Sequence, residues 1–72
     1  MKVTVVFEDG VILVDRQARS GFTLINADPN WRVIQWQDDH GWIEVHKGDR
    51  VWITDFSFVQ PYVDLWNSKP SE

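Results

Sequence analysis

The chain has 72 residues, with 11 acidic residues against 7 basic ones and a formal charge of −4. This length allows one domain, and the acidic balance disfavours nucleic acid or an anionic membrane surface as a partner, since both attract clustered basic residues. The absence of cysteine excludes disulfides and thiol catalysis. No apolar run approaches the ~20 residues of a membrane span, and the opening residues lack the pattern of a secretory signal.

The first predicted element is a β-hairpin. Two apolar, β-branched runs, residues 3–8 and 11–14, flank Asp9-Gly10, and an Asp-Gly pair between such runs is the strongest short hairpin signal. A two-residue loop there pairs Phe7 with Ile12 and Val5 with Val14, which we assign to the core. Val6 and Leu13 make the opposite face apolar too, so we expect both faces to be covered, by the chain itself or by a neighbour.

The stretch from Asp15 to Asn30 is the least regular part of the chain. Gly21 and Pro29 interrupt it, and such a long connection is either functional or contains a short element that the pattern does not define. We expect three apolar residues to anchor it to the core: Phe22, Leu24 and Ile25.

A three-stranded meander is predicted next. Residues 31–37 alternate, a turn follows at 38–41, and two further strands cover 42–45 and 51–54. Pairing Val45 with Val51 places Ile43 opposite Ile53. The core face of this meander carries Ile34, Trp36, Ile43, Val45, Val51 and Ile53.

The last segment changes to a helical period. Phe58, Tyr62 and Trp66 are spaced by four residues, which is typical of an amphipathic helix. Pro61 belongs in the first turn of such a helix, and Asp55 or Ser57 can cap it. The helical core residues are Tyr62, Val63 and Trp66.

These elements predict one β-rich α+β domain. It comprises residues 1–68, with 69–72 as a flexible tail, and has about five antiparallel strands, the N-terminal hairpin plus the meander. We expect the helix stripe of Phe58, Tyr62, Val63 and Trp66 to cover the core face of the sheet, a common two-layer arrangement.

Candidate catalytic and metal-binding residues are few. Asp38 and Asp39 are adjacent in a turn, where two carboxylates do not face one another as a catalytic pair must. His40 and His46 lie six residues apart and could approach each other across a hairpin, although a metal site would need a third ligand. We therefore expect no enzymatic activity, no cofactor and no metal.

The tryptophans suggest a contact surface instead. Trp31, Trp42 and Trp52 fall on the face of the meander opposite its core by alternation. Val6 and Leu13, on the second face of the hairpin, complete the candidate contact residues. Exposed tryptophans are enriched at binding hot spots. For Trp42 and Trp52 the sequence leaves two alternatives open, burial beneath the first hairpin or exposure on this surface.

Four strings in order carry a family resemblance: Trp31-Arg-Val-Ile-Gln-Trp36, Gly41-Trp-Ile-Glu44, Ile53-Thr-Asp-Phe56 and Gln60-Pro-Tyr-Val-Asp-Leu-Trp66. They resemble a family of small tailed-bacteriophage proteins encoded near tail or tail-fibre genes. The resemblance implies a tail structural or fibre-assembly role, with another tail or fibre protein or a second copy as partner, in the host cytoplasm during assembly or in the virion tail. It supplies no catalytic residues.

A carbohydrate-binding module is the alternative function. In that interpretation Trp42 and Trp52 would stack on sugar rings, and Glu44, His46 or Asp49 would supply polar contacts. A nucleic-acid-binding barrel could also use a tryptophan-rich sheet, but the acidic balance opposes it.

Overall fold

The computed structural model describes residues 1–24 and 28–69. It is a two-layer α+β domain in which one antiparallel sheet, in the order β3-β2-β1-β4-β5-β6, packs against one C-terminal helix. The predicted β-rich α+β class is therefore confirmed. The elements are β1 (Lys2–Val6), β2 (Val11–Val14), β3 (Gln17–Arg19), β4 (Trp31–Gln37), β5 (His40–Val45), β6 (Arg50–Ile53) and α1 (Gln60–Ser68).

The first hairpin forms with a longer turn than predicted. Val5 pairs with Ile12, not with Val14, because the turn takes up the four residues 7–10. The shift is an even number of residues, so the same side chains remain on the core face. Gly10 has a φ of +64°, and its carbonyl accepts the Phe22 N–H at 3.1 Å, which ties the later loop to the turn.

The stretch after the hairpin, whose structure the sequence pattern did not define, contains a third strand, β3, which extends the sheet beyond β2. Asp15 and Arg16 form the two-residue loop between β2 and β3, and their φ angles are positive, at 47° and 79°. Two-residue hairpin turns need positive φ to match the right-handed twist of the strands that they join. The Asn-Gly or Asp-Gly pair that usually marks such a turn is absent at residues 15–16, so the sequence did not predict this hairpin. Phe22 and Leu24 pack against the core as expected; Ile25 lies outside the described residues.

The hairpin and the meander join edge to edge. β1 pairs antiparallel with β4, and Val5 lies opposite Ile34 at the centre of the sheet. Trp42 and Trp52 are therefore not covered by the hairpin, which lies beside their strands in the same layer.

The meander forms as predicted, except that both of its loops differ from the predicted ones. Its first loop is only Asp38-Asp39, so Gly41 belongs to β5, opposite Trp36. A Cβ on Gly41 would lie 2.1 Å from the carbonyl oxygen of Gln35, so only glycine fits at this close approach. In the second loop Ile43 faces Val51 and not Ile53, again an even shift that preserves the faces.

The C-terminal segment begins with a 3₁₀ turn, Phe56–Phe58, and continues into α1. The Asp55 carboxylate accepts the Ser57 N–H at 2.9 Å, so Asp55 is the cap of the 3₁₀ turn. This hydrogen bond lowers the pKa of Asp55. Phe58 is 42% exposed and contacts Trp31 at the margin; the buried positions belong to Val59, Tyr62 and Val63. The prediction that Phe58 covers the sheet was therefore wrong.

The core lies between the sheet and the helix, and most predicted core residues are there. Val51 is the exception at 51% exposed: it is on the core face of the edge strand β6, whereas α1 crosses the sheet near β2. Phe7, Val45 and Trp66 are half-buried against the core. The buried residues are Val3, Val5, Ile12, Val14, Ile34, Trp36, Ile43, Ile53, Val59, Tyr62 and Val63.

The predicted tail begins with a residue that contacts the domain. Lys69 donates to the Ser20 carbonyl, and its own carbonyl accepts from Arg19; residues 70–72 are outside the described part of the chain. Among the residues described, no helix has the length and apolar character needed to cross a bilayer.

Candidate protein-binding surface

The helix covers one side of the sheet, and the other side forms what we call the open face. Side chains alternate along each strand, so the residues between the core positions point to this side. Most are half-buried by their neighbours, and the two on β6 are exposed. The open face carries Thr4, Val6, Val11, Leu13, Val33, Gln35, Trp42, Glu44, Arg50 and Trp52.

The strand register arranges these side chains in two rows across the sheet. One row runs from β2 to β6 through Leu13, Thr4, Gln35, Trp42 and Trp52, and Thr4 Oγ1 lies 2.8 Å from Gln35 Oε1. The second row, in the same strand order, is Val11, Val6, Val33, Glu44 and Arg50. Over β1, β2 and β4 the second row is aliphatic and the first row is polar at Thr4 and Gln35. Over β5 and β6 the surface carries the two tryptophans and the opposite charges of Glu44 and Arg50.

Trp42 and Trp52 form a ring pair at the β5–β6 side of the open face. They lie directly opposite each other, with ring centroids 5.5 Å apart and planes inclined at 63°, the edge-to-face arrangement that aromatic rings favour. Arg50 places its guanidinium carbon 5.1 Å from the Trp42 ring centroid, within the range of a cation–π contact. Trp52 is nevertheless 66% exposed.

A shallow hollow adjoins this pair. Its volume is about 110 Å³, and Lys2, Thr4, Gln35 and Trp42 are among its lining residues. A hollow of this size beside the half-buried Trp42 ring can accept one side chain from a binding partner.

The structure places four of the five predicted contact residues on the open face: Val6, Leu13, Trp42 and Trp52. Trp31 is a correction. A bulge between Trp31 and Val33 breaks the alternation of β4, and Trp31 packs against the core, 6.1 Å from the Phe7 ring and 6.5 Å from the Phe58 ring. The sequence analysis did not include Arg50 and Gln35 among the contact residues. Each lies two residues from an open-face residue of its own strand, Trp52 and Val33, so alternation would have placed both on this face.

The titratable candidates are dispersed. His40 begins β5 and His46 follows its end, so the two rings lie at opposite ends of a strand, roughly 20 Å apart, which is too far for them to share a metal ion. His40 Nδ1 contacts Asp39 at 2.7 Å, whereas Asp38 accepts from the Met1 amino group, which lowers the pKa of Asp38. Across residues 1–24 and 28–69, no three histidines or carboxylates form a metal-binding group.

Comparisons with protein-family models, with curated proteins and with solved structures found no match for this chain. The phage-protein resemblance therefore stays a prediction from the four motif strings. Those strings occupy connected elements: the first forms most of β4, the second lies in β5, the third leads from β6 to the 3₁₀ turn, and the last forms most of α1.

Proposed function

We propose that this protein is a non-enzymatic structural or assembly protein of a bacteriophage tail, and that it binds another tail or fibre protein through the open face. The observation that carries the binding role is the Trp42–Trp52 pair, with Trp52 two-thirds exposed on a sheet face opposite the helix. The phage setting rests on the sequence resemblance.

The composition of the open face favours a protein partner. Tryptophan and arginine are the residue types most enriched at interface hot spots, and Trp42, Trp52 and Arg50 occur together at one end. The six strands are spaced by ~4.8 Å, which makes the face ~24 Å across, a width suited to a protein surface. Aliphatic and aromatic side chains interspersed with polar ones are the composition typical of a protein interface.

The same proposal places the protein in the host cytoplasm while tails assemble, and in the virion tail where it stays bound. Nucleic acid and membrane surfaces are not the proposed partners, because the chain is acidic overall and phosphate recognition needs clustered basic residues.

The test is direct binding to the product of the neighbouring tail-fibre gene, measured by calorimetry with purified proteins. Trp52→Ala should weaken binding by more than ~10-fold, as truncation of a hot-spot aromatic does. Leu65→Ala is the matched control, since Leu65 is a large exposed apolar residue on the helix side. A wild-type protein with no affinity for any tail or fibre protein of its phage would refute the proposal.

A carbohydrate-binding function is the second candidate, because the Trp52 ring is exposed beside Glu44 and Arg50. The Trp42 ring is less suited to stacking, since the Trp52 ring and the Arg50 guanidinium both contact it. His46 and Asp49, the other polar residues considered, are exposed at the β5–β6 turn. Chemical-shift changes of the β5 and β6 backbone amides in a saccharide panel, lost in Trp52→Ala, would support this function, and an unchanged wild-type spectrum would exclude it.

A further inference from the structure

The two edges of the sheet differ in how their backbone groups are used. At the β3 edge the end of α1 lies alongside the strand. Trp66 Nε1 donates to the Gln17 carbonyl at 3.0 Å, and Lys69 donates to the Ser20 carbonyl. The Arg19 guanidinium stacks 3.7 Å above the Trp66 ring. The helix end thus occupies the β3 edge, and another strand cannot add there without displacing it.

The β6 edge has its polar backbone groups directed outward. Val45 N–H donates to the Asp49 carbonyl, so the alternation of antiparallel pairs makes Ile43–Val51 and Gly41–Ile53 the hydrogen-bonded pairs of the β5–β6 ladder. The N–H and C=O groups of Arg50 and Trp52 must then point away from β5. Across residues 1–24 and 28–69 no hydrogen bond reaches these four groups.

The β6 edge is short and begins with the charged Arg50, but it carries few of the other features that commonly prevent strand addition. Of the features that protect natural edge strands, proline, lysine, a bulge and a covering segment are absent from the described β6 strand. β6 reads Arg-Val-Trp-Ile, and its two central side chains, Val51 and Trp52, are 51% and 66% exposed on opposite faces. An edge that offers both hydrogen bonds and apolar side chains is suited to β-strand addition.

We propose that β6 pairs antiparallel with β6 of a second copy of this chain, about a two-fold axis at Val51. The outward groups allow this register: Arg50 of each copy lies opposite Trp52 of the other, and the two residues exchange both backbone hydrogen bonds, giving four in all. The two Val51 side chains meet on the axis and cover each other.

The side chains on the open face are complementary in this register. Arg50 and Trp52 share that face, so directly opposite positions bring the guanidinium of one copy against the indole of the other. Each Arg50 guanidinium already stacks on the Trp42 ring of its own chain. In the dimer each guanidinium would also face the Trp52 ring of the other copy. A second copy fits this edge because Arg50 and Trp52 are mutual partners.

The paired strands join the two sheets into one of twelve strands, with both open faces on the same side. A four-residue edge buries less than the ~800 Å² per partner of a standard interface, so the expected dissociation constant is micromolar, in the range of ~10–500 µM. Self-pairing is made by the backbone of the β6 edge, with Arg50 and Trp52 at the margin of the open face, and it is measured with the purified chain alone. This inference therefore does not depend on the proposed tail partner.

Sedimentation equilibrium from ~10 µM to ~1 mM tests the pairing, with the purified chain alone. The wild-type protein should show a monomer–dimer equilibrium. Val51→Lys should weaken it by at least ~10-fold because two like charges would meet on the axis, and Leu65→Lys, at an exposed helix position, should leave it unchanged. A wild-type chain that stays monomeric at ~1 mM would overturn the inference, as would a dimer that Val51→Lys does not weaken.

A cysteine variant tests the register independently. The chain has no cysteine, so Val51→Cys would carry a single thiol. Opposed residues in a non-hydrogen-bonded antiparallel pair have Cα atoms ~4.5 Å apart, within the range of a disulfide. With oxidised glutathione added as the two-electron oxidant, Val51→Cys should therefore form a disulfide-linked dimer faster than Leu65→Cys. Equal rates for the two variants would rule out the axis at Val51.

Discussion

Replacing Trp52 by alanine should cost little folding stability, whereas the same change at Trp36 should cost much. The two residues lie in strands of the same sheet on opposite faces. Trp36 is 4% exposed beneath the helix segment, with its ring 5.4 Å from that of Phe56, and Trp52 is 66% exposed on the open face. If Trp52 serves binding, its removal should leave the fold intact.

The magnitudes follow from the area that each ring buries. A tryptophan side chain has up to ~250 Å² of surface, so the buried third of Trp52 is ~80 Å², or at most ~2 kcal/mol at ~25 cal/mol per Å². The contact with Trp42 is included in that third. Trp36 is almost fully buried, and removal of such a ring costs ~3–5 kcal/mol. A domain of this size has a free energy of unfolding of only ~4–11 kcal/mol.

The assay is urea denaturation followed by far-ultraviolet circular dichroism, at a protein concentration low enough to keep the chain monomeric. Trp52→Ala should unfold in one transition with an unchanged slope and a free energy of unfolding lower by ~1–2 kcal/mol. It should also lose the exciton-coupled signal of the two adjacent indoles, which Trp36→Ala should keep where it still folds.

The stability contrast decides the assignment of the two faces. If Trp52→Ala were as destabilising as Trp36→Ala, Trp52 would have to be buried, and the open face would not be available to a partner. A Trp36→Ala variant as stable as Trp52→Ala would equally contradict the placement of the core.

Three further predictions concern the local structure. Gly41→Ala should destabilise the fold by ~1–3 kcal/mol in urea denaturation, because the added Cβ would lie 2.1 Å from the Gln35 carbonyl oxygen. Asp55→Asn should make the loss of stability in acid shallower. The hydrogen bond from Ser57 lowers the Asp55 pKa below its unfolded value of 3.8, so its stabilisation is present above that pH and disappears as the pH falls through the folded pKa; thermal melts from about pH 6 to 2 measure it. Tyr62, the single tyrosine, should ionise above its ordinary pKa of 10.0 in an ultraviolet absorbance titration, because burial raises its pKa, and the free energy of unfolding should fall as the pH rises past 10.0.

Each of these predictions has a result that would contradict it. An unchanged midpoint for Gly41→Ala would mean that β4 and β5 are less closely spaced than described. Parallel acid profiles for the wild type and Asp55→Asn would show that the carboxylate does not cap the 3₁₀ turn. A Tyr62 titration that coincides with that of the urea-unfolded chain would place the phenol in solvent.

Local pattern was sufficient to predict which side chains share a face. Alternation identified Val5, Ile12, Ile34 and Ile43 as core residues, and the four-residue spacing identified the helix, because side-chain direction is a property of the strand or helix itself. Both hairpin registers differed by an even number of residues, which leaves that direction unchanged. Alternation failed at Trp31, where the bulge inserts a residue that no local pattern signals.

The sequence by itself determined a β-rich domain with two apolar sheet faces and a C-terminal helix. Only the tertiary structure decided that β1 joins β4, so that Trp42 and Trp52 lie beside the hairpin and remain on the open face. The same assembly occupies the β3 edge with the end of α1 and leaves Val51 exposed on β6. These outcomes depend on contacts between distant segments, in which several pairings satisfy the same local pattern and the packing of the whole domain selects one.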